Sequence, residues 1–124
     1  MYELSVRQHF SAAHSLRDYP GDCQRLHGHN WEVEVRATGE ELGTLGMVLS
    51  FSDLKAVLRE ALGELDHRHL NELPPFREEN PTAENLARHL YRRIEGLLQQ
   101  RFQGVAVSGV QVWETPGQGV FYRE

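Results

Sequence analysis

Cysteine is nearly absent. Cys23 is the only one among 124 residues, so no disulfide can form within the chain and a free thiol in a reducing compartment is its simplest state. Long apolar runs are missing as well: no stretch approaches the roughly 18 residues that span a bilayer, and the N-terminal MYELSVRQHF lacks the continuous apolar centre of a secretory leader. The expected location is the cytoplasm. Cationic side chains are outnumbered, 13 Lys and Arg against 18 Asp and Glu for a net charge of −5, and they form no run; this argues against nucleic acid as a partner. There is no internal repeat, no low-complexity tract and no Gly-x-Gly-x-x-Gly phosphate loop. At this length, with 40% apolar and 25% charged residues, the chain reads as one folded domain, 1–124.

Histidine, by contrast, is plentiful: there are seven. Two strands place three of them. Tyr2, Leu4, Val6, Phe10 and Ala12 alternate with polar residues, the signature of a half-buried strand. The apolar parity continues to His14, with Gln8 breaking it once and a bulge there able to shift the register. After a turn cluster at Asp18–Asp22, a second strand runs from His27 to Ala37. Its odd positions His27, His29, Trp31, Val33 and Val35 form the buried face, headed by two imidazoles.

Further on, Met47–Phe51 reads as a short third strand or extended segment. Leu54, Val57, Leu58, Ala61 and Leu62 have the spacing of an amphipathic helix, with Ser52 or Asp53 as its cap and an end near Gly63. Residues 65–81 hold three prolines and read as loop. Thr82 or Asn80 caps a second helix carrying Leu86, Leu90, Ile94, Leu97 and Leu98 to about Gln100. A closing hairpin follows, with Val110, Val112 and Glu114 on one parity and a turn at Thr115–Gly119. The order strands, helix, helix, strands describes an antiparallel α+β layer.

Three features carry chemistry. His27 and His29 project to one side of a strand, Gly28 removes bulk between them, and His14 has the parity to join them. Three neutral imidazoles with a fourth position open describe a catalytic zinc site better than a structural one; the alternative is a core histidine set bonded to backbone. Cys23, four residues before His27, closes that site as a fourth ligand, stays off the metal with its thiol activated by the nearby charge, or is a buried thiol acting as a small hydrophobe. The pair Asp66-His67 suits a proton shuttle or is solvated surface. Glu114, at a strand end and facing inward, needs a partner: a heterocycle presenting two N–H donors, or a structural Arg.

Taken in order, Phe10-Ser11-Ala12-Ala13-His14, Cys23-x₃-His27-Gly28-His29, Gly46-Met47-Val48-x₂-Phe51-x-Asp53-Leu54-Lys55, Leu65-Asp66-His67-x₂-Leu70-Asn71, Asn80-Pro81-Thr82-Ala83-Glu84 and Glu114 resemble the 6-pyruvoyl-tetrahydropterin synthase family, whose bacterial members include 6-carboxy-5,6,7,8-tetrahydropterin synthases. The match spans nearly the whole chain, and the short Cys-x₃-His-Gly-His spacing looks more like the carboxytetrahydropterin branch.

The resemblance implies zinc held by His14, His27 and His29, Cys23 as proton acceptor, His67 supported by Asp66 as the partner acid/base, and Glu114 anchoring a pterin, with Thr82 and Glu84 at the substrate of the same or a neighbouring subunit. It implies the tunnelling fold, an antiparallel four-stranded sheet with two helices on one face. Its subunits assemble into an oligomeric barrel, commonly a hexamer made of two trimers. The implied reaction is that of a lyase on 7,8-dihydroneopterin triphosphate, releasing triphosphate and acetaldehyde to leave 6-carboxytetrahydropterin for queuosine biosynthesis; the alternatives are a pyruvoyl product, a folate-related shunt, or a zinc-stabilised pterin-binding module without turnover. Arg25, Lys55 or Arg68 would hold the triphosphate. One position departs from the family pattern: Ser50 stands where an acidic residue is usual. His9, His69 and His89 have no assigned role.

Overall fold

A computed structural model describes residues 1–124. Strands β1 (Tyr2–His14) and β2 (His27–Gly39) pair antiparallel over their whole length, from Tyr2↔Gly39 to His14↔His27, without interruption. The break in alternation at Gln8 is therefore not a bulge; Gln8 pairs with Val33 and stays half-buried at the inward parity. After helix α1 (Phe51–Gly63) comes a two-residue strand β3 (Arg68–His69), then helix α2 (Ala83–Arg101) and the hairpin β4 (Ala106–Thr115) and β5 (Gln118–Tyr122). The sheet order is β3-β1-β2-β4-β5.

The four long strands are antiparallel, as the periodicity predicts. The fifth, β3, is parallel to β1 at Ala12 and Ala13 and lies in the segment read as loop. Two residues carry no periodic signal; what places them is a tertiary clasp in which the His67 N–H donates to Ser11 O at 2.6 Å and the Ser11 N–H donates to Asp66 Oδ1 at 2.9 Å. Met47–Phe51 is not a strand. Both edges of β2 are already occupied, by β1 and β4, so this segment joins no sheet and turns at Gly46, whose φ of 76° suits glycine.

The two helices bury Leu54, Leu58, Ala61, Leu86, Leu90 and Ile94 against the inner sheet face, where Trp31, Val33, Val35, Val110 and Val112 are fully enclosed. Phe10 and Trp31 stack at 5.9 Å in that layer. A bulge places an extra residue, Ser108, between the pairs Arg36↔Gly109 and Ala37↔Val107, so Val107 and Val110 both point inward although they differ in parity. A second irregularity lies between the pairs Trp113↔Gly119 and Thr115↔Gln118; Glu114 is the extra residue there.

The cap of α1 is Ser50, not Ser52 or Asp53. Its Oγ accepts the Asp53 N–H at 3.0 Å, since the helix starts at Phe51 and Ser52 is already inside it. The departure from the family pattern at position 50 thus keeps a capping side chain. Thr82 caps α2 as expected, accepting the Asn85 N–H at 3.1 Å.

Ser50→Ala is expected to lower the unfolding free energy by about 1 kcal/mol in urea denaturation, while Ser50→Asp stays close to the parent because aspartate caps equally well. His89 on α2 packs edge-on against Phe76 at 5.5 Å, and burial holds its imidazole below the usual 6.5, with Glu64 opposing and Arg93 reinforcing that shift. Below about pH 6.5 the unfolded chain therefore binds a proton that the folded chain does not, and stability falls with falling pH. His89→Gln should flatten that dependence by at most about 1.4 kcal/mol per pH unit.

Candidate functional site

The register of β1 and β2 assembles the histidines. His14 ends one strand opposite His27, which begins the other, and Ala12 opposite His29 leaves room beside the second imidazole. The ring centroids lie 4.5 Å (His14–His27), 4.9 Å (His27–His29) and 5.3 Å (His14–His29) apart. One ligand nitrogen from each lies within 4.8 Å of the others. Trp31 forms an apolar wall, its ring 5.0 Å from His14 and 5.3 Å from His29.

Backbone carbonyls set the tautomers. His14 Nδ1 is 2.8 Å from Pro81 O and His27 Nδ1 is 2.7 Å from Arg25 O; a carbonyl only accepts, so each Nδ1 carries the proton and each Nε2 presents a lone pair. The Nε2 atoms of His14 and His29 are buried and have no hydrogen-bond partner, an arrangement that is costly for a nitrogen meant only to pack. Burial pushes both imidazoles below 6.5, the Pro81 carbonyl opposing this at His14 and the Glu114 carboxylate at His29. The set is thus three imidazole nitrogens on an apolar wall, and it fits a zinc ion with an open coordination position.

Cys23 is half-buried on a short 3₁₀ turn, Asp22–Gln24, and is not part of the three-histidine group. The bulge at Glu114 aims its carboxylate at the cluster: Oε1 is 3.4 Å from His29 Nε2 and Oε2 is 3.8 Å from His14 Nε2. No Arg pairs with it. Asp66 and His67 do meet, with Nδ1 3.0 Å from Oδ1. The Ser11 N–H, foremost, and His67 hold the Asp66 carboxyl below its usual 3.8, and His67 itself sits at φ 58°, a left-handed conformation uncommon outside glycine.

Two clefts flank the cluster. One, of about 530 Å³, is lined by His29, Asn30, Ser11, His67, Arg68 and His69. The other, of about 480 Å³, is lined by Glu114, Thr82, Glu84, Asn80 and Tyr19 among others. Glu114, Thr82 and Glu84 of one chain thus share a single cleft, and the contact between His29 and Glu114 joins the two. Of the three basic candidates, Arg68 lines the first cleft, while Arg25 and Lys55 are exposed and line neither.

Sequence reading missed the supports of this site. Asn71 exchanges two hydrogen bonds with the Ser15 backbone (2.9 and 2.8 Å), Asn80 does the same for Arg17 (2.9 and 3.1 Å), and the Arg17 guanidinium donates to Phe76 O at 2.7 Å. These contacts clamp the chain directly after His14 to the segment that supplies Pro81. The asparagines of the Leu-Asn and Asn-Pro-Thr motifs were their only sequence signal; a carbonyl acceptor leaves none.

Comparison with known proteins agrees with this geometry. A family model described as 6-pyruvoyl tetrahydropterin synthase matches residues 3–124. A Bacillus subtilis protein named 6-carboxy-5,6,7,8-tetrahydropterin synthase is 33% identical, over 98% of this chain and 85% of its own length. The Haemophilus influenzae protein of the same name is 27% identical over the full length of both. Among solved structures, Caenorhabditis elegans 6-pyruvoyl tetrahydropterin synthase superposes with a TM-score of 0.86 at 26% identity, covering 99% of this chain and 95% of that one. The fold is shared with these synthases, and the match over residues 3–124 places the chain in the 6-pyruvoyl tetrahydropterin synthase family.

Proposed function

We propose that this protein is a zinc-dependent lyase that converts 7,8-dihydroneopterin triphosphate, with uptake of one water, into 6-carboxy-5,6,7,8-tetrahydropterin, acetaldehyde and triphosphate. The observation that carries the reading is the cluster of His14, His27 and His29, two of whose Nε2 atoms, on His14 and His29, are buried without a hydrogen-bond partner, set against a carboxylate that lines a separate cleft. The name of the Bacillus subtilis relative supports the carboxytetrahydropterin product.

His14, His27 and His29 hold the metal, which when bound polarises the oxygens of the substrate side chain and so acidifies the neighbouring C–H bonds. The chain's own groups then have separable tasks. The Cys23 thiolate accepts a proton from a side-chain carbon. His67, oriented through Nδ1 by Asp66, returns or removes protons through its exposed Nε2. Glu114 accepts two N–H donors from the pterin edge. The Thr82 oxygen is used in capping α2, which leaves its O–H free to donate into the cleft, and Glu84 stands beside it on the first helical turn. Arg68, which lines the first cleft, is the residue proposed to meet phosphate oxygens.

Assembly belongs to the same reading. In one chain the sheet is open: β5 pairs only with β4, and β1 has a partner on its outer side only at Ala12 and Ala13. Such long bare edges are closed in folded proteins, which supports a barrel of several copies, a dimer of trimers. A cytoplasmic location and a role in queuosine biosynthesis complete the proposal; no helix is long and apolar enough to cross a membrane.

Purified protein is expected to retain about one zinc per chain by elemental analysis, His27→Ala to lose it, and Cys23→Ala to keep it while kcat drops by roughly 10²-fold or more. Loss of zinc from Cys23→Ala would instead make the thiol a ligand and favour a binding module without turnover. Incubation with 7,8-dihydroneopterin triphosphate should yield 6-carboxytetrahydropterin by mass spectrometry and acetaldehyde in equal amount; triphosphate release with a pyruvoyl product and no acetaldehyde would assign the elimination reaction instead.

A further inference from the structure

The cleft that contains Glu114 has one wall that the roles above leave unused. It is the loop from Leu16 to Cys23, closed at its neck by the Leu16 N–H to Cys23 O hydrogen bond of 2.8 Å and anchored by the paired bonds between Arg17 and Asn80. Asp18 sits at φ 62°, a left-handed backbone conformation uncommon for a residue with a side chain. Tyr19 follows it at the tip. Gly21 lies against the edge of the Tyr19 ring, where a Cβ would come within 3.1 Å of Cε1, and the Gly21 N–H donates to Tyr19 O at 2.9 Å. The loop thus seats the Tyr19 ring beside Gly21 at its tip, and because that ring is 48% exposed it is not there to fill a core. It lines the cleft shared by Glu114, Thr82 and Glu84.

We infer that Tyr19 is a substrate-positioning residue: its ring stacks on the face of the planar heterocycle whose N–H edge Glu114 reads. The two contacts are complementary. A carboxylate fixes the heterocycle in its own plane but not against tilting out of it, whereas an aromatic face restrains tilt and is indifferent to the edge. This inference rests on the pterin reading of the Glu114 cleft and adds to it a residue whose type, not only its presence, decides affinity.

The test is a fluorescence titration of the zinc-loaded protein with neopterin, an oxidised pterin lacking the leaving group. Stacking on an aromatic side chain changes affinity by about five- to a hundredfold on replacement by alanine. Tyr19→Ala and Tyr19→Leu are both expected to weaken neopterin within that range while zinc content and thermal midpoint stay at the parent values, and Tyr19→Phe to bind within about twofold, because the π face is kept. Parent-like affinity in Tyr19→Leu would overturn stacking in favour of simple bulk. Parent-like affinity in Tyr19→Ala, with Glu114→Gln losing neopterin, would overturn the role of Tyr19 and leave the pterin reading standing. A parent protein that binds no neopterin would overturn both.

Discussion

Thirteen unbroken cross-strand pairs between β1 and β2 are the constraint on which the rest of this molecule depends. The side-chain period of a strand is two, so a slip of one residue would turn Trp31, Val33 and Val35 out of the core and in the same step move His27 and His29 to the opposite face. Folding and site assembly are one event here. The burial of the apolar faces against α1 and α2 pins the register, and the register brings His14 opposite His27 at the strand ends, where the apolar layer stops and polar groups begin.

Holding three imidazoles close together in a partly buried place has a cost that the structure meets without charge. Protonated, they would repel one another; burial already disfavours that state at His14 and His29, and the carbonyls of Pro81 and Arg25 accept from Nδ1 of His14 and His27. Those carbonyls must themselves be held, which gives the loops around residues 15–26 and 70–81 their purpose. Asn71, Asn80 and Arg17 tie the two loops together by side-chain to backbone bonds, so the tautomer of His14 rests on contacts more than 50 residues away in sequence. The clasp between Ser11 and the Asp66-His67 pair works in the same way from the other edge of β1, and positions a carboxylate-imidazole dyad close to the metal-binding strand pair.

Much of this was legible before any coordinates. Both helices, their buried stripes, the Thr82 cap, the two long strands and the inward parity of His14, His27 and His29 follow from periodicities of 3.6 and 2. Where reading failed, the deciding contact was non-local. β3 is two residues long and is a strand only because Ala12 and Ala13 lie beside it. Met47–Phe51 has strand-like composition, but it follows β2, both of whose edges are taken by β1 and β4, and it leads into α1 at Phe51. The cap is the one local miss: Ser52 or Asp53 was expected and Ser50 is found, because hydroxyl- or carboxylate-bearing residues stand at 50, 52 and 53 and only the actual start of α1 selects among them.

Glu114 shows the division most clearly. Its residue type, its place near a strand end and the absence of an adjacent partner are sequence properties, and they suffice to mark a carboxylate in want of a donor. Its inward parity with Val110 and Val112 is a sequence property too; which groups it meets is not, because its approach to His14 and His29 depends on how β4 packs against β2 and on the irregular pairing with β5. Local chemistry and periodicity, which depend on neighbours along the chain, were determined by the sequence itself. The union of the cluster, the dyad and the Tyr19 loop around two adjoining clefts was decided only by tertiary packing, because each of those contacts joins segments whose separation along the chain leaves no periodic trace.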